Sequence, residues 1–304
     1  MLHVPGEHVA VTAAGVEVLR YVYRGEAAWE APKPYAHPLR TLAGHTVTDY
    51  RPNDHRWHKG LQMTASYLSG HNLWGGNTYV RGEGYVALPE RVGSMAHRSF
   101  DEVGVRDGRA VVAERLTWHP YGGELWADEL RRVEVHDVDP EAGCWALTWS
   151  SAVTNRRDVP LRFGSPTTQG REMAGYTGLF WRGPRAFRDG TALAAHGGGD
   201  TPEDLMGCQA EWLAYTGEHD GADGHATVVF AHAPENDHTG AAGAHPAHWF
   251  VRTEPFAAVA PSLAFFDELV LPPGETLARR YRVLIADGAW DRPRIAAHLR
   301  ALPW

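Results

Sequence analysis

Short runs of β-branched and aromatic residues dominate the chain. Examples are VEVLRYVYR, RAVVAERLTW, CWALTWSSAVTN and ARRYRVLIA, which often alternate in character as half-buried strands do. In the third run, Trp145, Leu147 and Trp149 fall on one face because side chains alternate along a strand. Gly, Pro, Asn and Asp clusters such as RDG, HPYGG and DVDPEAG separate the runs and are typical of turns. The pattern predicts a meander of antiparallel strands.

Many antiparallel strands in one chain restrict the architecture. Each sheet must bury one face and protect its edges, which leaves sandwiches, barrels and jelly rolls. We expect an all-β fold, a large antiparallel β-sandwich with short accessory helices. Strand signals resume on both sides of the long loops, so we expect one domain over residues 1–304. TPEDLMG begins like a capping box, and a short C-terminal helix is predicted at about 291–302 with Asp291 as its cap.

Composition and charge exclude several classes of function. The formal net charge of −8 and the scarcity of lysine argue against a nucleic-acid partner, because phosphate binding needs clustered basic residues. No secretion signal and no apolar run long enough for a membrane span is visible, so we expect a cytoplasmic protein without a membrane partner. The 12 tryptophans favour a sugar ligand, since a flat apolar ring packs well against the C–H face of a pyranose.

The stretch DYRPNDHRWHKGL carries the densest polar chemistry in the chain. Asp54, His55, His58 and Lys59 lie within it, and a short turn with so many proton-exchanging groups favours an acid/base site. His55 and His58 are three residues apart and would share a helical face suited to a metal ion, but Pro52 disfavours a helix there. A structural, hydrogen-bonded role for these histidines stays open.

Two further stretches offer groups for holding a polyhydroxylated ligand. In HNLWGGNTYVRGEGY, a Gly-Gly turn separates Trp74 from Asn77, Tyr79 and Arg81, which together offer an aromatic wall beside an amide and a guanidinium. A plain hairpin with a core tryptophan is the alternative. In RFGSPTTQGRE, Gln169 and Arg171 follow a strand break and supply hydrogen-bonding groups.

A fourth stretch, HPAHWFVRTEPF, contains a carboxylate at the end of a predicted strand. His248, Arg252 and Glu254 would face the same side of an extended chain. The alternative for Glu254 is a solvated surface charge.

Four segments resemble the bacterial family known as PmoA, or methane oxygenase: PLRTLAGHTVTDYRPNDHRWHKGL, NLWGGNTYVRG, TNRRDVPLRFGSPTTQGR and LPPGETLARRYRV. The resemblance runs from about residue 35 to residue 288. The name implies a metal-dependent oxygenase, but membrane methane oxygenase needs transmembrane helices that this chain lacks.

NDHRWHKGL and the C-terminal segment from RTEPF to the PGE turn are also similar to the aldose-1-epimerase superfamily. That resemblance implies a galactose mutarotase-like supersandwich with a sugar in an open cleft, and it places His58 and Glu254 in the acid and base roles. Arg156 stands where those epimerases have a second histidine, which disfavours simple mutarotation.

These observations predict a carbohydrate-active enzyme without an organic cofactor. Acid/base chemistry would cleave an oxidised, 3-keto sugar or glycoside in a lyase or hydrolase reaction. His58 and Glu254 would exchange protons, His55 would be a further proton carrier or metal ligand, and Asp54 would orient a histidine. Lys59, Arg81 or a metal ion held by His55 and His58 would stabilise the enolate. The alternatives are a mutarotase, a non-catalytic carbohydrate-binding protein and a metal-dependent oxygenase, and the oligomeric state stays open.

Overall fold

The chain forms 21 strands within the part that the computed structural model describes, residues 1–25, 27–196, 199–237, 246–302 and 304. In chain order the strands are β1 (Leu2–Val4), β2 (His8–Ala13), β3 (Val16–Val22), β4 (Tyr35–Leu39), β5 (Leu61–Thr64), β6 (Tyr67–Leu68), β7 (Thr78–Val80), β8 (Gly84–Val86), β9 (Ser94–Arg106), β10 (Arg109–His119), β11 (Ala127–Asp139), β12 (Cys144–Asn155), β13 (Leu161–Gly164), β14 (Gly178–Arg182), β15 (Thr191–Ala194), β16 (Trp212–Glu218), β17 (His225–His232), β18 (His248–Arg252), β19 (Ala258–Ser262), β20 (Leu269–Leu271) and β21 (Thr276–Asp287).

Two large sheets account for most of these strands. The first has the order β1-β2-β3-β4-β5-β14-β19-β18, and the second has the order β15-β16-β17-β21-β12-β11-β10-β9. Neighbouring strands in both sheets are antiparallel. Two small sheets, β20-β13-β6 and β7-β8, flank them. The predicted all-β, antiparallel sandwich is therefore confirmed.

The main hydrophobic core lies between the two large sheets. Trp145, Leu147 and Trp149 of β12 are fully buried in it, on the single face that their alternation predicts. From the first sheet, Trp181 reaches across, and its ring centroid lies 5.4 Å from that of Phe230 in the second sheet. Large aromatic side chains each bury about 150–250 Å². Contacts between these rings therefore contribute much of the stabilisation between the two sheets.

The alternation that fills this core also sends residues to the opposite face of the first sheet. Along β14, Leu179 and Trp181 join the main core, while Phe180 belongs to a separate aromatic cluster. Along β18, Val251 faces the main core and Phe250 joins the same separate cluster. Strands β14, β19 and β18 thus present a second apolar surface on the outside of the sandwich.

Helices are few and short. α1 spans Pro202–Leu205, and α2 spans Arg292–Ala301, where the Asp291 side chain accepts a hydrogen bond from the backbone N–H of Arg294 at 2.9 Å. Ile295 of α2 is buried against the outer face of the second sheet. Single 3₁₀ turns occur at Ala28–Glu30, Pro89–Arg91, Arg185–Phe187 and Pro234–Asp237. No helix within the described ranges is long and apolar enough to cross a membrane.

A buried polar network links the two sheets. Arg131 is fully buried and donates two hydrogen bonds of 2.8 Å to the Glu129 carboxylate. It also donates to the Tyr21 hydroxyl at 3.1 Å, and that hydroxyl in turn donates to the Glu114 carboxylate. Trp118 Nε1 donates to Glu129 at 2.8 Å. Every charge in the network has a partner, which buried charges require.

We expect Arg131→Met to lower the free energy of unfolding by about 3–5 kcal/mol, because the substitution leaves the Glu129 carboxylate buried without its cation. The matched control is Arg115→Met, which breaks an exposed pair with Asp101 and should cost about 0–1 kcal/mol. Urea denaturation of both variants measures the difference. Equal midpoints for the two variants would show that the buried network contributes no more than a surface pair.

Candidate active site

A cavity of ≈ 390 Å³ opens on the outer face of the first sheet. Strands β14 and β18 supply its floor through Phe180 and Phe250, and the loops before β5 and β7 supply its walls. Its lining is largely aromatic, with two histidines, two arginines and an asparagine among the polar groups. The lining residues are His55, Trp57, His58, Trp74, Gly75, Asn77, Tyr85, Arg171, Tyr176, Phe180, Phe250, Arg252, Pro255 and Phe256.

One wall is the loop of residues 50–59, which closes on itself. Tyr50 and Lys59 form an isolated antiparallel bridge, and the Arg51 N–H donates to the His58 carbonyl at 2.9 Å. The loop joins β5 through Gly60, whose φ is +61°. A Cβ there would lie 2.2 Å from the Ala36 carbonyl oxygen, so only glycine fits. The histidine-rich stretch is therefore a short, closed loop with a fixed attachment.

Glu30 fastens both ends of this loop. Its buried carboxylate accepts from Arg51 Nη2 at 2.6 Å and forms an ion pair with Lys59 Nζ at 3.0 Å. Burial raises the pKa of Glu30, but the hydrogen bonds from Arg51 and Lys59 outweigh it, so the pKa lies below its ordinary value. The loop is thus held by charge-assisted bonds to a buried carboxylate.

Trp57 packs directly onto the backbone of the neighbouring loop. An added Cβ at Gly75 would lie 2.6 Å from Trp57 Cβ, and one at Gly76 would lie 2.5 Å from the Trp57 ring. Both glycines also have positive φ, +110° and +65°. The Gly-Gly pair is needed both for the turn and for this close approach.

Two side chains fix the backbone at Trp74. Asn72 Oδ1 accepts from the N–H groups of Trp74 and Gly75 at 2.8 Å and 2.9 Å. The buried Lys33 ammonium donates to the carbonyls of Trp74 at 2.9 Å and Ala31 at 2.8 Å. Burial, followed by the charge of Lys59, lowers the pKa of Lys33 well below its ordinary value. These bonds fix the backbone at Trp74, and its ring packs against Tyr176 and Phe180.

His58 is buried, and its tautomer is set by Arg182. Arg182 Nη1 lies 3.0 Å from His58 Nδ1. Because a guanidinium can only donate, Nδ1 is the acceptor and the ring proton of neutral His58 sits on Nε2. Burial lowers the pKa of His58 well below 6.5, and the charges of His55 and Arg182 lower it further. His58 is therefore a neutral N–H donor at pH 7.

His55 has the opposite arrangement. Its Nδ1 lies 2.7 Å from the Asp54 carboxylate, which can only accept when ionised. Nδ1 therefore carries the proton, and Nε2 keeps its lone pair. Burial lowers the pKa of His55 below 6.5, and this effect exceeds the opposing influence of Asp54. His55 is a neutral base at pH 7.

The two imidazoles lie face to face, with ring centroids 4.7 Å apart and an interplanar angle of 20°. Arg182 also lies 3.7 Å from Asp54 and 4.0 Å from Asp49, so its charge is partly balanced. Its guanidinium stacks on Phe256 at 3.9 Å. One histidine can accept a proton while its neighbour donates a hydrogen bond, a combination suited to general acid–base chemistry.

The arginines that line the cavity lie against aromatic rings. Arg171 stacks over Tyr85 at 5.0 Å and hydrogen bonds to its hydroxyl, which lies 2.5 Å from the Tyr176 hydroxyl. The Arg252 guanidinium lies 5.5 Å from the Phe250 ring. Burial and then the charge of Arg171 lower the pKa of Arg252. Among the described residues that line the cavity there is no carboxylate, so the two arginines give this part of the site a positive charge.

The structure brings six of the residues predicted from the sequence to the cavity, namely His55, His58, Trp74, Asn77, Arg171 and Arg252. Asp54 lies behind His55 as an orienting group. The remaining predicted residues do not line it. Lys59 is buried against Glu30, and Tyr79 packs on Tyr85. Arg81 donates a hydrogen bond to the Thr168 carbonyl, and Gln169 donates one to Glu268. His248 contacts Gln209 and Phe266.

Glu254 also lies outside the cavity. Its side chain is 67% exposed and lies 3.9 Å from Arg188, while the neighbouring Pro255 reaches the lining. A hydrogen bond and charge from Asp189 raise the pKa of Glu254. The expectation that it shares a side with Arg252 assumed an extended chain, but β18 ends at Arg252 and residues 254–256 bend. The carboxylate is therefore not placed to act as the base in this cavity.

Several site residues escaped the sequence analysis. Arg182 sits in GLFWR, where the alternation with Trp181 and Phe180 puts it on the cavity side of β14. That alternation is the one signal that could have identified it. Trp57, Tyr85, Tyr176 and Phe256 come from loops and from the short strand β8, where no periodic pattern fixes the direction of a side chain.

The metal alternative has limited support from the site. His55 and His58 do lie side by side, but both Nδ1 atoms are already engaged. Across the described residues, no group of three or more His, Cys, Asp or Glu side chains is arranged to hold a metal ion.

Nitrogen-15 NMR of the imidazoles tests the protonation states. We expect neutral His55 with the proton on Nδ1 and neutral His58 with the proton on Nε2 at pH 7. The His55 midpoint should lie below 6.5, and the His58 midpoint further below, because burial disfavours the charged form. Asp54→Asn should lower the His55 midpoint further and mix its tautomers, whereas Asp189→Asn should change neither histidine. Two histidines in the same tautomer would contradict the geometry.

Comparison with known proteins gives distant structural matches. The α-galactosidase AgaA of Geobacillus stearothermophilus, a GH36 enzyme solved with raffinose, has a TM-score of 0.46 and 12% identity over 93% of this chain. The α-galactosidase of Lactobacillus brevis has a TM-score of 0.43 and 10% identity over 95% of this chain. A putative kojibiose phosphorylase from the human microbiome has a TM-score of 0.36 and 8% identity over 94%.

This chain spans 41% of the length of each of the two α-galactosidases and 28% of the phosphorylase. None of the curated proteins compared with the chain matches it. The methane-oxygenase name suggested by the sequence motifs finds no support in these comparisons. A family model does match, over residues 8–300, and the chain belongs to that family of unknown function, DUF6807.

Proposed function

We propose that this protein is a carbohydrate-active lyase that eliminates a group from an oxidised, 3-keto sugar. The observation that carries the proposal is the stacked histidine pair in opposite tautomers, with a free lone pair on His55 Nε2 and a proton on His58 Nε2. Elimination uses both groups, because His55 can remove the proton next to the carbonyl while the His58 N–H stabilises the enolate oxygen.

The shape and lining of the cavity support a sugar as the ligand. Its volume of ≈ 390 Å³ lies within the range of small-molecule sites, about 300–1,000 Å³. The Trp74 and Trp57 rings offer flat apolar faces to the C–H side of a pyranose. Asn77, an exposed amide at the rim, can donate to and accept from hydroxyl groups.

Each proton and electron pair has a place in the proposed reaction. His55 Nε2 removes the proton from C2, next to the C3 carbonyl, and the C–H electrons form the enolate. Expulsion of the C1 oxygen then gives a C1–C2 double bond and restores the C3 carbonyl. The protonated His55 returns its proton to the departing oxygen, so the imidazole is regenerated.

Asp54 and Arg182 position the two histidines for these steps. Asp54 stabilises the imidazolium that forms on His55 and keeps Nε2 directed at the substrate. Arg182 withdraws electron density through His58 Nδ1, which makes Nε2–H a stronger donor to the enolate oxygen. A neutral imidazole can serve as such an electrophile, and the His58 ring is buried and held by Arg182.

Incubation with a panel of 3-keto glycosides in D₂O, read by NMR and mass spectrometry, tests the proposal. We expect exchange at C2 and release of the C1 substituent. His55→Gln should reduce turnover by roughly 10² to 10⁴ because the base is lost. The matched control is His225→Gln, which removes an exposed histidine that pairs with Glu218.

Three outcomes would contradict this account. Loss of turnover in Glu254→Gln but not in His55→Gln would return the base role to the carboxylate predicted from the sequence. Tight sugar binding with neither exchange nor cleavage on any glycoside would indicate a non-catalytic binding protein. Turnover that requires added iron or copper would indicate an oxygenase.

A further inference from the structure

We infer that the sugar bound in this cavity carries an anionic group, a carboxylate or a phosphate, and that Arg171 and Arg252 bind it. This inference rests on the proposed function because it names the substrate class of the same site. Several other cations in the protein are balanced by carboxylates. Buried Arg131 is paired with Glu129, Arg182 lies near Asp49 and Asp54, and Glu30 binds Arg51 and Lys59.

Arg171 and Arg252 both line the cavity. Both are partly buried, and among the described residues neither lies in an ion pair with a carboxylate. The rings of Tyr85 and Phe250 hold the two guanidiniums in place but do not neutralise them. Two like charges in one partly desolvated cavity cost stability unless an anion joins them.

The lowered pKa of Arg252 agrees with two uncompensated positive charges in the cavity. Burial is the first cause of its lowered pKa, and the charge of Arg171 is the next. Both guanidiniums line the same cavity, and the charge of Arg171 disfavours the charge of Arg252. A bound carboxylate or phosphate would remove that repulsion and accept bidentate hydrogen bonds, for which the planar guanidinium is suited.

Aromatic rings separate Arg171 from the histidine pair, whereas the charge of Arg252 reaches His55 and contributes to its lowered pKa. Arg171 contacts Tyr85, the Tyr85 hydroxyl hydrogen bonds to Tyr176, and the Tyr176 ring packs 4.6 Å from that of Trp74. Trp74 in turn contacts His58 at 5.4 Å. Aromatic rings therefore stand between Arg171 and His58. A sugar lying along this wall can present one end to the histidines and a charged substituent to the arginines.

Calorimetric titration with matched ligands tests the inference. The probes are methyl β-D-glucuronide against methyl β-D-glucoside, and glucose 6-phosphate against glucose. We expect at least one acidic ligand to bind about tenfold or more tightly than its neutral match, with an advantage that shrinks as salt rises. The pair that shows the preference identifies carboxylate or phosphate as the bound group.

The double variant Arg171→Gln/Arg252→Gln should abolish the preference while keeping neutral-sugar binding within about threefold, because the aromatic walls remain. The matched control is Arg115→Gln/Arg162→Gln, which removes two exposed arginines that pair with Asp101 and Glu268. Thermal melting of both double variants verifies that they are folded.

Equal affinity for acidic and neutral ligands, or a preference that persists in Arg171→Gln/Arg252→Gln, would overturn the inference. These results are separable from failure of the proposed function. Neutral 3-keto glycosides cleaved in a His55-dependent reaction would leave the lyase standing while removing the anion requirement. A preference for acidic ligands without any cleavage would support the anion site and remove the lyase.

Discussion

The site depends first on the buried Glu30 carboxylate and its bonds to Arg51 and Lys59. These bonds tie the two ends of the 50–59 loop to the 3₁₀ turn at Ala28–Glu30, beneath the cavity wall. Without a fixed loop, His55 and His58 would have no defined position relative to β14. Without this carboxylate, a loop rich in charged residues would favour solvent. The bonds to buried Glu30 instead hold the loop in place as one wall of the cavity. The first sheet supplies the floor of the cavity, and Glu30 fixes the position of the 50–59 loop relative to that sheet.

The electrostatics of the cavity follow from how each imidazole is engaged at Nδ1. A carboxylate fixes the proton on His55 Nδ1, and a guanidinium excludes it from His58 Nδ1. Burial keeps both rings neutral, so the difference between them is one of tautomer and not of charge. Two stacked neutral imidazoles avoid the repulsion that two imidazolium ions would suffer. The pair is therefore compatible with a cavity that already contains uncompensated arginines.

Sequence patterns predicted the sandwich because alternation is a local property. The alternation of side chains along a strand was enough to predict that Trp145, Leu147 and Trp149 share one face. The sequence also allowed us to predict His55, His58, Trp74 and Asn77, because loops dense in functional groups rarely serve only as connections. Glu254 shows the limit: its direction depends on a bend just after β18, which no periodicity encodes. Glu30 and Lys33 were missed for a related reason, because their partners in the loops are distant in sequence and only the folded sheets bring them together.

The central claim is that the cavity holds an oxidised sugar between an aromatic wall and the two histidines. The most direct measurement is a crystal structure with a bound 3-keto C-glycoside, whose C1 substituent is attached through carbon and cannot leave. The account predicts the sugar face on Trp74, the C3 oxygen within about 2.6–3.2 Å of His58 Nε2, and C2 beside His55 Nε2. A ligand seated against Glu254 outside the cavity, or a cavity closed to it by packed side chains, would contradict the account.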